Sequence, residues 1–256
     1  DLDPLELPKT EARLRALGFP PETLIVCQTN FAALPQILAK HDVAGVDLIL
    51  ADLGCSSMQL DDPSRGFSFK MDGPLDLRMN PNRGRSAARL IETMDEMRLA
   101  QLLEENADEP CSKLLAKAIV EARAKTPIQS TRTLTQLIES VLSTQCRDQP
   151  EAESSASIRR VYQALRIAVN EEFPNLERFL RVLPSCLNPG GRVAILSFHS
   201  GEDRRVKKAF QAGVHSGHYA RIAETVMRPS PEEQRSNSRA SSAKLRWAIR
   251  VDERLA

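Results

Sequence analysis

No metal or disulfide framework is spelled out in the 256 residues. The five cysteines, Cys27, Cys55, Cys111, Cys146 and Cys186, are scattered, odd in number and never in C-x-x-C spacing. That excludes a zinc ribbon and a disulfide-stapled scaffold, and suits a reducing compartment. There is no run of about 18 apolar residues, so no membrane-spanning helix is expected. No signal-peptide pattern is visible, although residue 1 is Asp rather than Met, which leaves targeting open. Charge of either sign is not in surplus: 35 Lys and Arg face 34 Asp and Glu. Any nucleic-acid surface must therefore be a local patch. The phosphate-cradling patterns G-x-x-x-x-G-K-[ST] and G-x-G-x-x-G are missing, as is the G-x-S-x-G nucleophile elbow.

What is present is a 41% hydrophobic chain, long enough for one large domain or a domain with an insertion. Residues 24–27, 46–50, 192–197 and 245–251 read as short strands, the last at a sheet edge. The runs at 46–50 and 192–197 are nearly continuous and apolar, as in strands buried on both faces. Helical patterns at 5–17 and 31–40 alternate with them. The alternation predicts an α/β fold with a parallel sheet.

The middle differs. Leu114, Leu115, Ala118, Ile119 and Ala122 recur at helical spacing. So do Leu134, Leu137, Ile138, Val141 and Leu142, after a cap at Ser130 or Thr131, with Pro127 separating the two helices. Residues 148–155 read as a polar loop. An all-helical insertion is expected over 85–157, inside an α/β domain made of 1–84 and 158–256. A long helix starts near Ser157, Pro174 is expected to interrupt it, and Asn188-Pro-Gly-Gly191 closes the next one. Residues 227–242, rich in Ser, Arg, Pro and Glu, read as a mobile loop.

Ligands in open α/β sheets bind at the carboxyl ends of the strands. Asp1-Leu-Asp3, Asp52 and Ser197-Phe-His-Ser200 stand at such ends. Asp1 can accept from a ribose hydroxyl pair or cap a helix. Asp52, followed by Gly54 and two serines, is poorly explained by packing. His199 can donate to a substrate, orient a carboxylate or cap the turn before the basic run 204–208. Past Asp52 runs a long loop to Gly84 that is polar without being low in complexity. Its Arg65, Arg78 and Arg83 face Asp61, Asp62, Asp72 and Asp76, while Phe67, Phe69, Leu75 and Leu77 are expected to fold it back onto the sheet. Long ordered loops of this kind are commonly functional.

Four segments carry a resemblance: 52–61 (DLGCSSMQLD), 65–69 (RGFSF), 72–79 (DGPLDLRM) and 190–200 (GGRVAILSFHS). Together with 162–170 (YQALRIAVN) they resemble the MraW/RsmH family across nearly the whole chain, in order. These are S-adenosylmethionine-dependent methyltransferases acting on N4 of a cytidine in small-subunit ribosomal RNA. The resemblance implies a Rossmann-like class I methyltransferase sheet with the helical insertion. It implies that Asp1 binds the cofactor ribose, that Phe31 flanks the adenine, and that Asp52 and Gln59 make further cofactor contacts. Asp52 and His199 are the catalytic candidates. Arg78, Arg166, Asn170, Ser197 and His199 are candidates for holding the base or its phosphate. No metal and no membrane is implied; the partner is small-subunit ribosomal RNA or the ribosomal subunit, and a homodimer is one compatible assembly. The compartment is the cytoplasm in a bacterium and the mitochondrial matrix in a eukaryote.

The chain departs from the family pattern in three places. The family's Gly-rich cofactor loop has no counterpart, so the chain is expected to begin about one βα unit late, on the order of 30 residues or more, and to bind S-adenosylmethionine weakly or not at all by itself. The family's His-Ser-Leu-Glu-Asp-Arg is His199-Ser-Gly-Glu-Asp-Arg204 here, and Gly201 is expected to loosen that helix start. A tyrosine motif is replaced by Asn106-Ala-Asp-Glu-Pro110. Two rival functions follow from the residues: a non-catalytic RNA-binding or assembly factor that kept the fold, and a hydrolase using Asp52 and His199. No nucleophile with an evident base partner supports the second.

Overall fold

The computed structural model describes residues 1–145 and 151–252. Its strands are β1 (Val46–Asp52), β2 (Leu187–Ser197), β3 (Tyr219–Ile222) and β4 (Lys244–Arg250). Up to the first strands run α1 (Glu6–Ala16) and α2 (Leu34–Lys40); then come α3 (Ser57–Asp61), α4 (Ala87–Thr93), α5 (Glu96–Ala107) and α6 (Ser112–Arg123). The remaining helices are α7 (Thr131–Gln145), α8 (Glu151–Val169), α9 (Glu172–Cys186), α10 (Ser200–His215) and α11 (Pro231–Ser236). None in the described residues is long and apolar enough to cross a membrane. Two compact units result: Asp1–Leu2, Arg13–Gly54 and Phe173–Ala256 form one, Asp3–Ala12 and Cys55–Glu172 the other.

The first unit is a mixed sheet in the order β1-β2-β4-β3. β1 and β2 are parallel, with Asp52 opposite Leu196. β4 runs antiparallel to β2, with Ser197 opposite Lys244, and β3 antiparallel to β4. The sheet is therefore parallel only at β1/β2, and residues 245–251 are not at its edge. The edge strand β3 has only four residues, too few for a period to register in the sequence. Its Tyr219 is buried edge-on to Phe210, centroids 5.5 Å apart. In α9, Leu176, Phe179, Leu180 and Leu183 recur at helical spacing and are buried with Val193, Ile195, Val206 and Ala248.

Residues 24–27 form no strand. The Asp1 ammonium donates to the Cys27 carbonyl (3.0 Å) and the Thr29 N–H to the Asp1 carbonyl (2.8 Å), and no ladder extends from these bonds among the described residues. Ile25 stays 54% exposed, so an apolar run alone did not make a strand without a partner. Residues 227–242 are more ordered than their composition suggests. Ser230 caps α11 by accepting from the Glu233 N–H (3.1 Å), Pro231 takes the first helical position, and a 3-10 turn follows at Ser238–Ser242.

The second unit is helical, and its described residues hold no strand beyond the single bridge of Pro74 with Ser130. Leu99 and Leu103 of α5, Leu115 and Ile119 of α6, Leu134 and Ile138 of α7 and Val161 and Leu165 of α8 form its core. Phe67, Leu75 and Leu77 are buried in that same core rather than on the sheet, which is why the compact unit is wider than 85–157. Ser130 caps α7, accepting from the Thr133 N–H at 3.1 Å, while the Thr131 hydroxyl donates to the Met71 carbonyl. Pro174 does not make the break after α8. Glu171 does, at φ 50°, and Pro174 sits in the first turn of α9, where a missing N–H is tolerated. Of the expected polar loop, 148–150 lie outside the described residues and helix begins at Glu151. Cys27, Cys55, Cys111 and Cys186 are free thiols, and Cys146 lies outside the described residues.

Candidate active site

In the sheet unit the parallel register of β1 and β2 brings Asp52 and the 197–199 segment to the same carboxyl end. Asp52 reaches solvent, yet its surroundings desolvate the carboxylate enough to raise its pKa above the ordinary value, and the nearby charge of Glu202 adds to the rise. Ser197 is buried and its hydroxyl donates to the Lys244 carbonyl (3.3 Å).

His199 is the N-cap of α10. Its Nδ1 accepts from the Glu202 N–H at 3.4 Å, which puts the proton of the neutral ring on Nε2. Buried Glu202 reciprocates: Oε2 accepts from the Phe198 N–H (2.9 Å), and Oε1 lies 3.3 Å from His199 Nε2. That last approach is within ion-pair range but is not aligned as a hydrogen bond, so the buried Nε2 has no hydrogen-bond acceptor among the described residues. His199 thus both caps the helix and faces a carboxylate. Gly201 does not loosen this start. A Cβ there would lie 2.6 Å from Cζ of Phe173, so the aromatic ring already fills the space of a side chain.

Asp1 is not the cap of α1. Asp3 is, accepting from the N–H groups of Leu5 (2.8 Å) and Glu6 (3.3 Å) on one oxygen. Phe31 opens a 3-10 turn capped by Asn30 and lies edge-on to Phe179 at 5.1 Å, while remaining 40% exposed. An aromatic ring so placed has a surface left for a planar ligand.

The helical unit holds the other candidates. Asp3 belongs to it and is 1% exposed. Its second oxygen accepts from Gln59 Nε2 (2.7 Å) and pairs with Arg65 Nη1 (2.9 Å). Burial would raise this carboxyl, but the bonds from Gln59, the Leu5 N–H and Arg65 outweigh it and hold the pKa below the usual range. Gln59 is buried and engaged at both ends of its amide, since Oε1 also accepts from the Ser56 N–H in a capping box.

Arg65 carries the order onward, donating through Nη2 to the carbonyls of Arg78 (3.1 Å) and Met79 (2.9 Å). Just before them Leu77 is fully buried at φ 63°, a left-handed conformation that costs a bulky residue about 1–3 kcal/mol. Asn170 braces it: Nδ2 donates to the Leu77 carbonyl and Oδ1 accepts from the Met79 N–H, both at 2.7 Å. Arg78 forks onto Asp76 (2.8 and 2.7 Å). Arg166 forks onto Glu172 (2.8 and 3.0 Å) and donates to Cys55 Sγ (3.2 Å).

The expected site residues therefore fall into two groups. Asp1, Phe31, Asp52, Ser197 and His199 lie in the sheet unit; Gln59, Arg78, Arg166 and Asn170 lie in the helical unit. Three partners were not singled out as site residues: Asp3, Arg65 and Glu202. Asp3 and Glu202 had signals, the spacings Asp3-x-x-Glu6 and His199-x-x-Glu202, both helix-start patterns. No local pattern marks Arg65, which acts through carbonyls 13 and 14 positions away. The serine-hydrolase arrangement is not built at this strand end: the Ser197 hydroxyl bonds a carbonyl, not the imidazole.

A mixed α/β sheet with an acid at the carboxyl end of its first strand is consistent with a Rossmann-like methyltransferase. The chain matches the MraW methylase family over residues 1–251 and belongs to that family. It is similar to ribosomal RNA small subunit methyltransferase H 2 of Alkaliphilus metalliredigens, 50% identical over 98% of this chain and 72% of the relative. Ribosomal RNA small subunit methyltransferase H 1 of Lachnoclostridium phytofermentans is 49% identical, over 98% of this chain and 68% of the relative. A more distant relative, ribosomal RNA small subunit methyltransferase H of Acidothermus cellulolyticus, is 38% identical over 94% and 76%. The protein is an enzyme that consumes a methyl donor.

Proposed function

We propose that this enzyme methylates N4 of a cytidine in small-subunit ribosomal RNA, with S-adenosylmethionine as donor. The observation that carries the reading is the position of Asp52, a carboxylate at the carboxyl end of β1; desolvation, and after it the charge of Glu202, raise its basicity. Asp52 and the half-exposed ring of Phe31 suit a cofactor with a planar base and hydroxyl or amine donors, and Asp1 adds a carboxylate in the same unit. When bound, that cofactor supplies an electrophilic methyl group on a sulfonium.

The cytosine N4 lone pair is delocalised into its ring, so the protein must orient the amine and stabilise the positive charge that develops there. Asp52 accepts a hydrogen bond from the amine and takes its proton once nitrogen is alkylated; a raised pKa improves that acceptor. Glu202 adds negative field at the same place, and the His199 imidazole, 3.3 Å from Glu202 Oε1, orients that carboxylate. The base leaves its stack to reach this position. Arg78 and Asn170 serve by holding the loop after β1, and we assign 85–157 to RNA engagement. The substrate locates the protein with ribosomes, in the cytoplasm of a bacterium.

The test is nucleoside mass spectrometry of small ribosomal subunits incubated with the protein and labelled S-adenosylmethionine. Label is expected in N4-methylcytidine alone; label in another nucleoside, or only in protein, would overturn the assignment.

RNA also needs a phosphate track. On α10, Arg204, Lys207, Lys208, Gln211 and His215 are exposed at i, i+3, i+4, i+7 and i+11, one stripe without an acid, while Val206 and Phe210 are buried. Lys207→Glu/Lys208→Glu is expected to weaken binding to a ribosomal RNA fragment and to flatten the log–log salt slope by about 1.5. Fluorescence anisotropy over roughly 50–200 mM salt reads this; an unchanged slope removes the stripe from the interface.

A further inference from the structure

We propose that Phe173 is the positioning residue for the His199 imidazole, and that Gly201 is glycine because the Phe173 ring occupies the place of its side chain. The inference rests on the reading of His199 as part of the methyl-transfer site. Three contacts carry it. A Cβ on residue 201 would stand 2.6 Å from Cζ and 3.3 Å from Cε1 of Phe173, and 3.2 Å from Nδ1 of His199. The Phe173 and His199 rings pack with centroids 5.8 Å apart, tilted by 48°. The Arg205 guanidinium carbon lies 3.5 Å from the centre of the Phe173 ring.

The ring is packed on both sides. Phe173 is 5% exposed and sits in the first turn of α9. Arg205, which covers it, is anchored twice, donating to Glu177 Oε1 (2.9 Å) and to the Gly201 carbonyl (3.1 Å). The imidazole, by contrast, is weakly held by its own bonds. The cap bond into Nδ1 is 3.4 Å long, near the limit of a hydrogen bond, and Nε2 has no aligned acceptor. Its direction is therefore set by what it packs on. An added methyl at 201 displaces the ring, the imidazole or both, and a displaced imidazole no longer orients Glu202 beside Asp52. Trimming Phe173 to leucine removes the two ring atoms that crowd residue 201, which makes room for a branched side chain there.

The experiment compares Gly201→Ala, Phe173→Leu and the double variant Gly201→Leu/Phe173→Leu in the full chain. The readouts are ring carbon–proton NMR of the four histidines, with His199 assigned by loss of its signal in His199→Gln, thermal melting, and kcat and KM for ribosomal RNA methylation. Each single variant is expected to move the His199 resonances, leaving those of His41, His215 and His218 in place, and to lower kcat about ten-fold with little change in KM. The double variant is expected to return both toward the parent. His199 resonances unmoved by either single variant, or a double variant no nearer the parent than the singles, would overturn the proposal. If the resonances move and are restored while kcat stays constant, the packing stands and His199 leaves the methyl-transfer site instead.

Discussion

Asp52→Ala is expected to lower the rate of methylation by about 10²–10³ without unfolding the protein. The loss follows from position. The carboxylate stands at the end of β1 and reaches solvent, and its basicity is raised by desolvation and then by the charge of Glu202. Its side chain makes no hydrogen bond to the core among the described residues, so packing around Ile49 and Leu53 stays intact. Asp52→Asn keeps the shape and a carbonyl acceptor but cannot take the proton, so it falls between the parent and the alanine variant. Stability moves the other way. A carboxyl whose pKa is raised by folding is charged in the native state at a cost. That cost is present above the folded pKa and disappears as pH falls through it toward the unfolded value. Asp52→Asn is therefore expected to melt higher than the parent near neutrality, with the gap closing on acidification. Single-turnover methylation paired with melting curves across pH checks both halves. An alanine variant with normal turnover, or one that unfolds, would remove Asp52 from the centre of the site.

The strand ends were legible because both strands there are apolar runs with an abrupt polar stop: 46–50 before Asp52, and 192–197 before His199. A ladder needs a partner as well as a run, which is why 24–27, equally apolar, forms no strand among the described residues and bonds instead to Asp1, Arg15 and Pro20. What could not be read was which core a residue joins. Leu75 and Leu77 carry the same signal whether they pack on a sheet or on helices, and they chose α5 to α8. Nor does a sequence show the direction of an amide. Gln59 stands next to the strand end in the chain, but its Nε2 turns to Asp3, 56 positions away. The Gly201 departure was visible as a missing leucine, whereas its compensation by Phe173, 28 residues earlier, needed coordinates.

Arg65→Ala is expected to destabilise the helical unit by about 3–5 kcal/mol, the usual consequence of leaving one partner of a buried ion pair alone. Asp3 and Arg65 are 1% and 5% exposed, so water cannot replace the lost guanidinium. Two carbonyls, of Arg78 and Met79, lose their donor in the same step, next to a left-handed Leu77 that needs its neighbours fixed. With total stability on the order of 5–15 kcal/mol, a loss of that size shows plainly in a urea midpoint. The double variant Asp3→Ala/Arg65→Ala removes both charges and is expected to be less destabilised than the two single losses added, because the larger part of each is the stranded partner. Acid gives an independent reading. The Asp3 carboxyl is held below its ordinary pKa by Gln59, the Leu5 N–H and Arg65 against the opposing effect of burial. Its contribution is therefore complete above the unfolded carboxylate value and is lost as pH falls through the folded one. The parent should weaken on acidification through that window by more than an Asp3→Ala variant does. Urea midpoints for the four proteins, measured at neutral pH and again through the acid range, test the pair. An Arg65→Ala midpoint within about 1 kcal/mol of the parent, or parallel acid dependence with and without Asp3, would show that this buried pair does not hold the loop after β1 in place.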